Sequence, residues 1–210
     1  YSPDLFSGTG DPPRTSNTLV GVWAGDISTV LDQLAAWNST EGSDFAGHLD
    51  LANVGVFGHS TGGGTAVEFC GRDQRCKAGV GLDAWLEPVS ENIIDRGLRQ
   101  PFLFLRADRW DFANSGENFE IAARQLSGLQ DSGYLGTIAG AAHFDFSDVP
   151  LLSPLTAQLG LSSTIDSAYM VEMVNGMTTA FFRQELKGEG DDLSQEATAY
   201  PELSLVGNGR

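Results

Sequence analysis

The stretch Gly58-His59-Ser60-Thr61-Gly62 constrains this chain more than any other. It follows a short apolar run over residues 54–57 and opens through Gly63 and Gly64 into the helix-favouring residues 66–69. A chain that turns from strand to helix so abruptly holds its middle residue in strained backbone geometry, which only small neighbours accommodate. The serine oxygen then stands clear at the carboxyl end of a sheet, with the N-terminus of the next helix behind it. That placement suits attack on a carbonyl carbon, so Ser60 is the expected nucleophile.

The remaining pattern supplies a sheet for this turn. Trp23, Ile27, Val30, Leu31 and Leu34 recur at helical spacing, which predicts an amphipathic helix over about 22–37. Apolar runs over 78–82, 101–106 and 134–139 read as further buried strands, with helices over 62–70, 91–98 and 117–126 between them. A long helix over 164–186 carries Tyr169, Met173, Met177 and Phe181 on one face. Alternation of this kind implies an α/β protein with a mostly parallel sheet and helices on both faces. Residues 1–18 read as loop, and the Gly-rich, acidic residues 188–210 as a surface tail, so the domain occupies 1–187.

Composition narrows the partners. At 210 residues, 41% apolar and 19% charged, the chain is one domain's worth of folded protein rather than a disordered one. A formal net charge of −16 argues against nucleic acid and anionic membrane surfaces, and no apolar run approaches a membrane span. Cys70 and Cys76 are too few and too isolated for a zinc site. Either they join the end of the elbow helix to the approach of the next strand as a disulfide, or they remain two buried thiols. The compartment stays open between these, with secretion weighed slightly ahead of the cytoplasm.

Serine becomes a nucleophile only when a base takes its proton and a carboxylate orients that base. Of three histidines, His48 precedes the turn in a loop, and His59 lies inside it as a packing and hydrogen-bonding neighbour. His143, in Gly140-Ala141-Ala142-His143-Phe144 after the strand over 134–139, is the expected general base. For the acid, Asp83 ends a strand in Gly81-Leu82-Asp83-Ala84-Trp85, whereas Asp108 and Asp111 follow the next one. Spacing leaves these open. The order serine, acid, histidine is that of the α/β-hydrolases.

Residues 56–85 resemble the platelet-activating-factor acetylhydrolase family, whose elbow G-H-S-x-G-G is followed by a strand ending L-D-A-W. The similarity continues through Pro101-Phe102-Leu103-Phe104 and Ala142-His143-Phe144-Asp145-Phe146-Ser147-Asp148. With residues 182–188, which resemble the end of bacterial members, it spans about 22–188. The resemblance implies an α/β-hydrolase fold and a Ser60, His143, Asp83 triad, ranking Asp83 above Asp108 and Asp111. It also implies calcium-independent hydrolysis of carboxylic esters, from short-chain phospholipids to simple esters and polyesters, on small-molecule or lipid substrates. No metal or organic cofactor is expected.

The Thr61 N–H is the oxyanion donor that this sequence supplies; the second normally comes from a loop after an early strand. No counterpart of the early strands precedes residue 54, and residue 1 is Tyr rather than Met. The expectation is therefore the C-terminal portion of a longer or nicked enzyme, completed by an N-terminal segment or a second chain. Trp85, Trp110 and Phe144 are expected near the mouth of the site, as substrate contacts or as plain packing. The leucine-rich residues 151–161, broken by Pro154 and Gly160, read as a packed core helix or as a lid or wall of an acyl pocket. Two other readings stand beside the esterase: a peptidase or thioesterase with the same triad, and a non-catalytic binding module. The last usually loses the serine or histidine, both present here.

Overall fold

A computed structural model of the chain describes residues 12–108, 115–129, 132–153, 155–190 and 192–208. Four parallel strands, β1 (Val54–His59), β2 (Cys76–Leu82), β3 (Phe102–Ala107) and β4 (Gly133–Ile138), lie side by side in chain order. A fifth, β5 (Leu203–Gly207), runs antiparallel to β4. Register aligns His59 with Leu82 and Leu82 with Leu105, so the carboxyl ends of the parallel strands share one edge. Whatever follows β1, β2 and β4 therefore collects on that edge, where ligands of open α/β sheets bind.

Both faces of the sheet are covered. On β3, Phe102 and Phe104 point to one face, while Leu103, Leu105 and Ala107 point to the other, as the two-residue period of a strand requires. The first face packs against α1 (Pro12–Ser39), α2 (Thr61–Arg72), α3 (Glu91–Arg96) and α4 (Ser115–Gly128). The second is closed by α6 (Ser167–Lys187), which buries Met170, Met173, Met177 and Phe181, with α5 (Val149–Leu152) preceding it. Each such side chain contributes roughly 1.5–3 kcal/mol on burial. Asp166 caps the start of α6 by accepting from the Tyr169 amide over 2.9 Å.

Three expectations are corrected. The segment over 188–210 is not a loose tail: α7 (Leu193–Ala197) packs beside α6, and β5 extends the sheet, burying Leu193, Tyr200 and Leu203. Gly and acidic residues mask those widely spaced apolar anchors in composition. The loop expected over 1–18 gives way to helix from Pro12, since proline is tolerated in a first helical turn. Finally, the leucines over 151–161 do not form a packed core helix. Leu151, Leu152, Leu155, Leu159 and Leu161 are exposed, Leu152 to 79%.

Cys70 and Cys76 are bonded to each other, their Cα atoms 5.1 Å apart, and close the connection from α2 to β2. Beside them, Arg75 grips Asp73 and reaches Asp32 of α1 over 2.6 Å. Ser28 of α1 donates to Asp73 over 2.9 Å. The Arg75 hydrogen bonds hold the Asp73 carboxyl far below the usual carboxylate range.

Candidate active site

Ser60 sits between β1 and α2 with φ 57° and ψ −122°, a conformation that costs a non-glycine residue on the order of 1–3 kcal/mol. Backbone bonds on both sides hold it there. Its N–H donates to the Leu82 carbonyl over 3.0 Å, and its carbonyl accepts from Gly63, Gly64 and Trp85 at 2.9, 3.2 and 2.9 Å. Glycines make the turn possible. A methyl group on Gly58 would run into the backbone of Gly62, and one on Gly63 would lie 2.5 Å from the Ala84 Cβ. Thr61 opens α2, so its N–H belongs to the positive end of that helix.

Asp83 directly follows β2, buried to 1% exposure and with φ 40°. Its N–H donates to Leu105 over 2.7 Å, and its Oδ1 accepts from Ala107 over 3.0 Å, so the end of β3 fixes the carboxylate. The other oxygen, Oδ2, lies 2.6 Å from His143 Nδ1. A carboxylate accepts, so Nδ1 donates, and Nε2 is the ring nitrogen that carries the lone pair.

His143 opens a one-turn 3-10 segment, His143–Phe146, beyond β4 and is 4% exposed. Asp145, itself buried, locks that turn: its Oδ2 accepts from Ala142 over 2.8 Å and its Oδ1 from Ser163 over 3.1 Å. From the elbow side, His59 Nε2 donates to the His143 carbonyl over 2.9 Å, and the two rings lie 4.5 Å apart. Burial, followed by the proximity of His143, holds the His59 pKa below its ordinary 6.5.

The structure thus brings Ser60, Asp83 and His143 to one edge, with Asp83 on the imidazole. Asp108 is exposed and accepts instead from the Gly140 amide over 3.0 Å. Asp111 and Trp110 lie outside the described residues. Trp85 and Phe144 are half-buried; Trp85 gives its N–H to the elbow, and the Phe144 ring is 5.3 Å from that of His143. Sequence reasoning missed the supports. Asn118 of α4 donates to Ala84 over 3.0 Å and accepts from Leu86 over 2.7 Å, clamping the loop after Asp83. Buried Glu68 of α2 accepts from Ser90 at the far end of that loop. A buried Asn and Glu on apolar helix faces are the only sequence signals of either role.

Comparison with known proteins follows the same lines. The sequence model of the family described as platelet-activating factor acetylhydrolase, isoform II, matches residues 25–200. The platelet-activating factor acetylhydrolase of Gallus gallus is 26% identical over 181 residues, 85% of this chain and 41% of that protein. That of Cavia porcellus is 28% identical over 142 residues, 67% of this chain and 31% of that protein. The chain therefore spans about two fifths or less of these relatives. Among solved structures, a ferulic acid esterase from Streptomyces cinnamoneus superposes with a TM-score of 0.75 at 27% identity, covering 96% of this chain and 58% of that one. The mostly parallel sheet of this chain, with helices on both faces, is an α/β-hydrolase fold, and the match over 25–200 means that the chain belongs to the platelet-activating factor acetylhydrolase isoform II family.

Proposed function

We propose that the chain carries the catalytic edge of a serine-dependent carboxylic ester hydrolase acting on lipid-like or short-chain acyl esters. One observation carries this reading: Asp83 Oδ2 lies 2.6 Å from His143 Nδ1, on the edge that presents Ser60 at φ 57°. His143 Nε2 takes the Ser60 hydroxyl proton as Oγ bonds to the ester carbonyl carbon, and Asp83 stabilises the imidazolium that results. The oxyanion of the tetrahedral intermediate accepts from the Thr61 N–H. As the carbon–oxygen bond to the alcohol breaks, His143 returns the proton to the departing oxygen. Water, deprotonated by His143 in turn, then releases the acid and restores Ser60.

Support comes from the family and from neighbours that are themselves named as an acetylhydrolase and an esterase. The proposal includes a second oxyanion donor carried by a segment beyond β1. Among the described residues β1 pairs only with β2, so its outer edge can receive a further strand. No helix among the described residues is long and apolar enough to cross a membrane.

A fluorophosphonate probe tests the nucleophile: labelling is expected on the intact protein and lost in Ser60→Ala. Labelling that persists in Ser60→Ala overturns the reading. A panel of p-nitrophenyl esters of increasing acyl length, run beside an amide, is expected to show ester turnover that falls with chain length. Faster turnover of the amide would favour a peptidase.

A further inference from the structure

The loop after β2 reaches the proposed nucleophile through the amide of Trp85, which donates to the Ser60 carbonyl over 2.9 Å. Asn118 of α4 holds the residues on either side of that amide. Its Nδ2 donates to the Ala84 carbonyl over 3.0 Å, and its Oδ1 accepts from the Leu86 amide over 2.7 Å. The side chain is only 3% exposed, so losing it would leave two buried backbone groups to be satisfied by other means. Against the other side of the loop lies the first turn of α2. A methyl group on Gly63 would lie 2.5 Å from the Ala84 Cβ, and one on Gly64 would run into the Trp85 carbonyl. Residues 84–86 are therefore pressed between Asn118 and the turn that carries Ser60.

Both ends of this arrangement are strained. Asp83 has φ 40° and Ser60 φ 57°, conformations that cost roughly 1–3 kcal/mol each and persist only where their surroundings over-determine them. Before the loop, the Leu105 carbonyl fixes the Asp83 amide; after Asp83, Asn118 restrains Ala84 and Leu86. The same helix carries a second buried amide about two turns further on. Gln125 is fully buried, and its Nε2 donates to the Ile94 carbonyl of α3 over 3.0 Å. The chemistry of the two amides is alike, but their destinations differ. Gln125 ties α4 to another helix, whereas Asn118 ties it to the backbone between the proposed acid and its contact with the nucleophile.

We infer that Asn118 is a positioning residue for Ser60 and Asp83 together, holding residues 84–86 so that the Trp85 amide fixes the elbow while Asp83 keeps its strained backbone. The inference rests on the proposed Ser60, His143, Asp83 triad. Asn118 acts through the backbone of Ala84, Trp85 and Leu86 rather than on a reacting atom. Its loss lets the nucleophile and the acid drift relative to each other, which slows the chemical step more than it weakens substrate binding.

The test compares Asn118→Leu and Gln125→Met with the intact protein on a soluble p-nitrophenyl ester. Both substitutions strip buried backbone groups of a partner, so both are expected to lower the urea unfolding midpoint. Only Asn118→Leu is expected to lower kcat, by roughly tenfold or more, with KM changed by less than about threefold. Labelling of Ser60 by a fluorophosphonate probe should slow in parallel, while Gln125→Met keeps both rates within about threefold. A kcat loss in Asn118→Leu below about tenfold, a comparable loss in Gln125→Met, or a loss carried by KM overturns the inference. If Asn118→Leu does not fold, Asn118→Ala, which admits water to the two freed groups, is held to the same split. Ser60→Ala in the same assay separates the two layers. Turnover that survives Ser60→Ala removes the triad itself; turnover abolished there but retained in Asn118→Leu removes only the role of Asn118.

Discussion

The imidazole of His59 donates to the main-chain carbonyl of His143 over 2.9 Å, so the residue before the proposed nucleophile holds the turn that carries the proposed base. The contact joins positions 84 residues apart and fixes a distance that catalysis depends on. His59→Gln, whose amide also donates, should keep kcat within about threefold, whereas His59→Leu should lower it roughly tenfold or more. Because the contact orients rather than binds, KM should change less than kcat. Steady-state kinetics on one ester decides it, and equal losses in both variants would count against the role.

Asp83 and Asp108 separate cleanly. Asp83→Asn should lower kcat by roughly 10³- to 10⁴-fold with little change in fold, the scale seen when a triad acid is lost. Asp108→Asn, which only weakens a bond to the Gly140 amide, should leave kcat within about tenfold. The reverse ranking would move the acid away from Asp83.

Gly58 and Gly62 predict opposite signs at neighbouring positions. Alanine at 58 meets the backbone of Gly62 and should destabilise by about 1–3 kcal/mol or more, as overpacking does. Alanine at 62 meets no atom outside its own helix turn within 4 Å among the described residues and lies in α2, so it should be neutral or stabilising by up to about 1 kcal/mol. Urea unfolding midpoints of the two variants distinguish them, and similar shifts would contradict the turn geometry.

Asp73 links stability to acidity. Its folded-state pKa is depressed below 3.8, chiefly by the Arg75 hydrogen bonds, so its contribution is present above that pH and is lost as pH falls through the folded value. Asp73→Asn should therefore melt about 2–4 °C lower at pH 7. That gap should narrow once pH drops below about 4. Calorimetric scans across pH 3–7 check it; a gap independent of pH would point to a packing effect.

The elbow, the order of the strands and the two faces were legible because each rests on local signals: small residues at a turn and short apolar runs between helical periods. The acid was harder. Asp83 and Asp108 both follow strands that end on the same edge, so spacing left them open; the family resemblance ranked Asp83 first, and the pairing of Oδ2 with His143, against that of Asp108 with Gly140, supports that ranking. Asp145 and Asn118 were invisible for a related reason. Beyond their own turns they hold partners 18 and 34 residues away, brought together by the fold rather than by spacing along one element. The segment over 188–210 failed differently, since its few apolar anchors are diluted by glycine and acidic residues and pair with β4 only once the sheet exists.

That last strand bears on how the protein is handled. β5 borders β4, and the Ala139 amide donates to the Glu202 carbonyl over 2.9 Å, four positions before His143. Removing β5 would take away the outer support of the loop that carries His143. Substitution or cleavage within β5 is then felt at the candidate site, although β5 begins sixty residues further along the chain than His143.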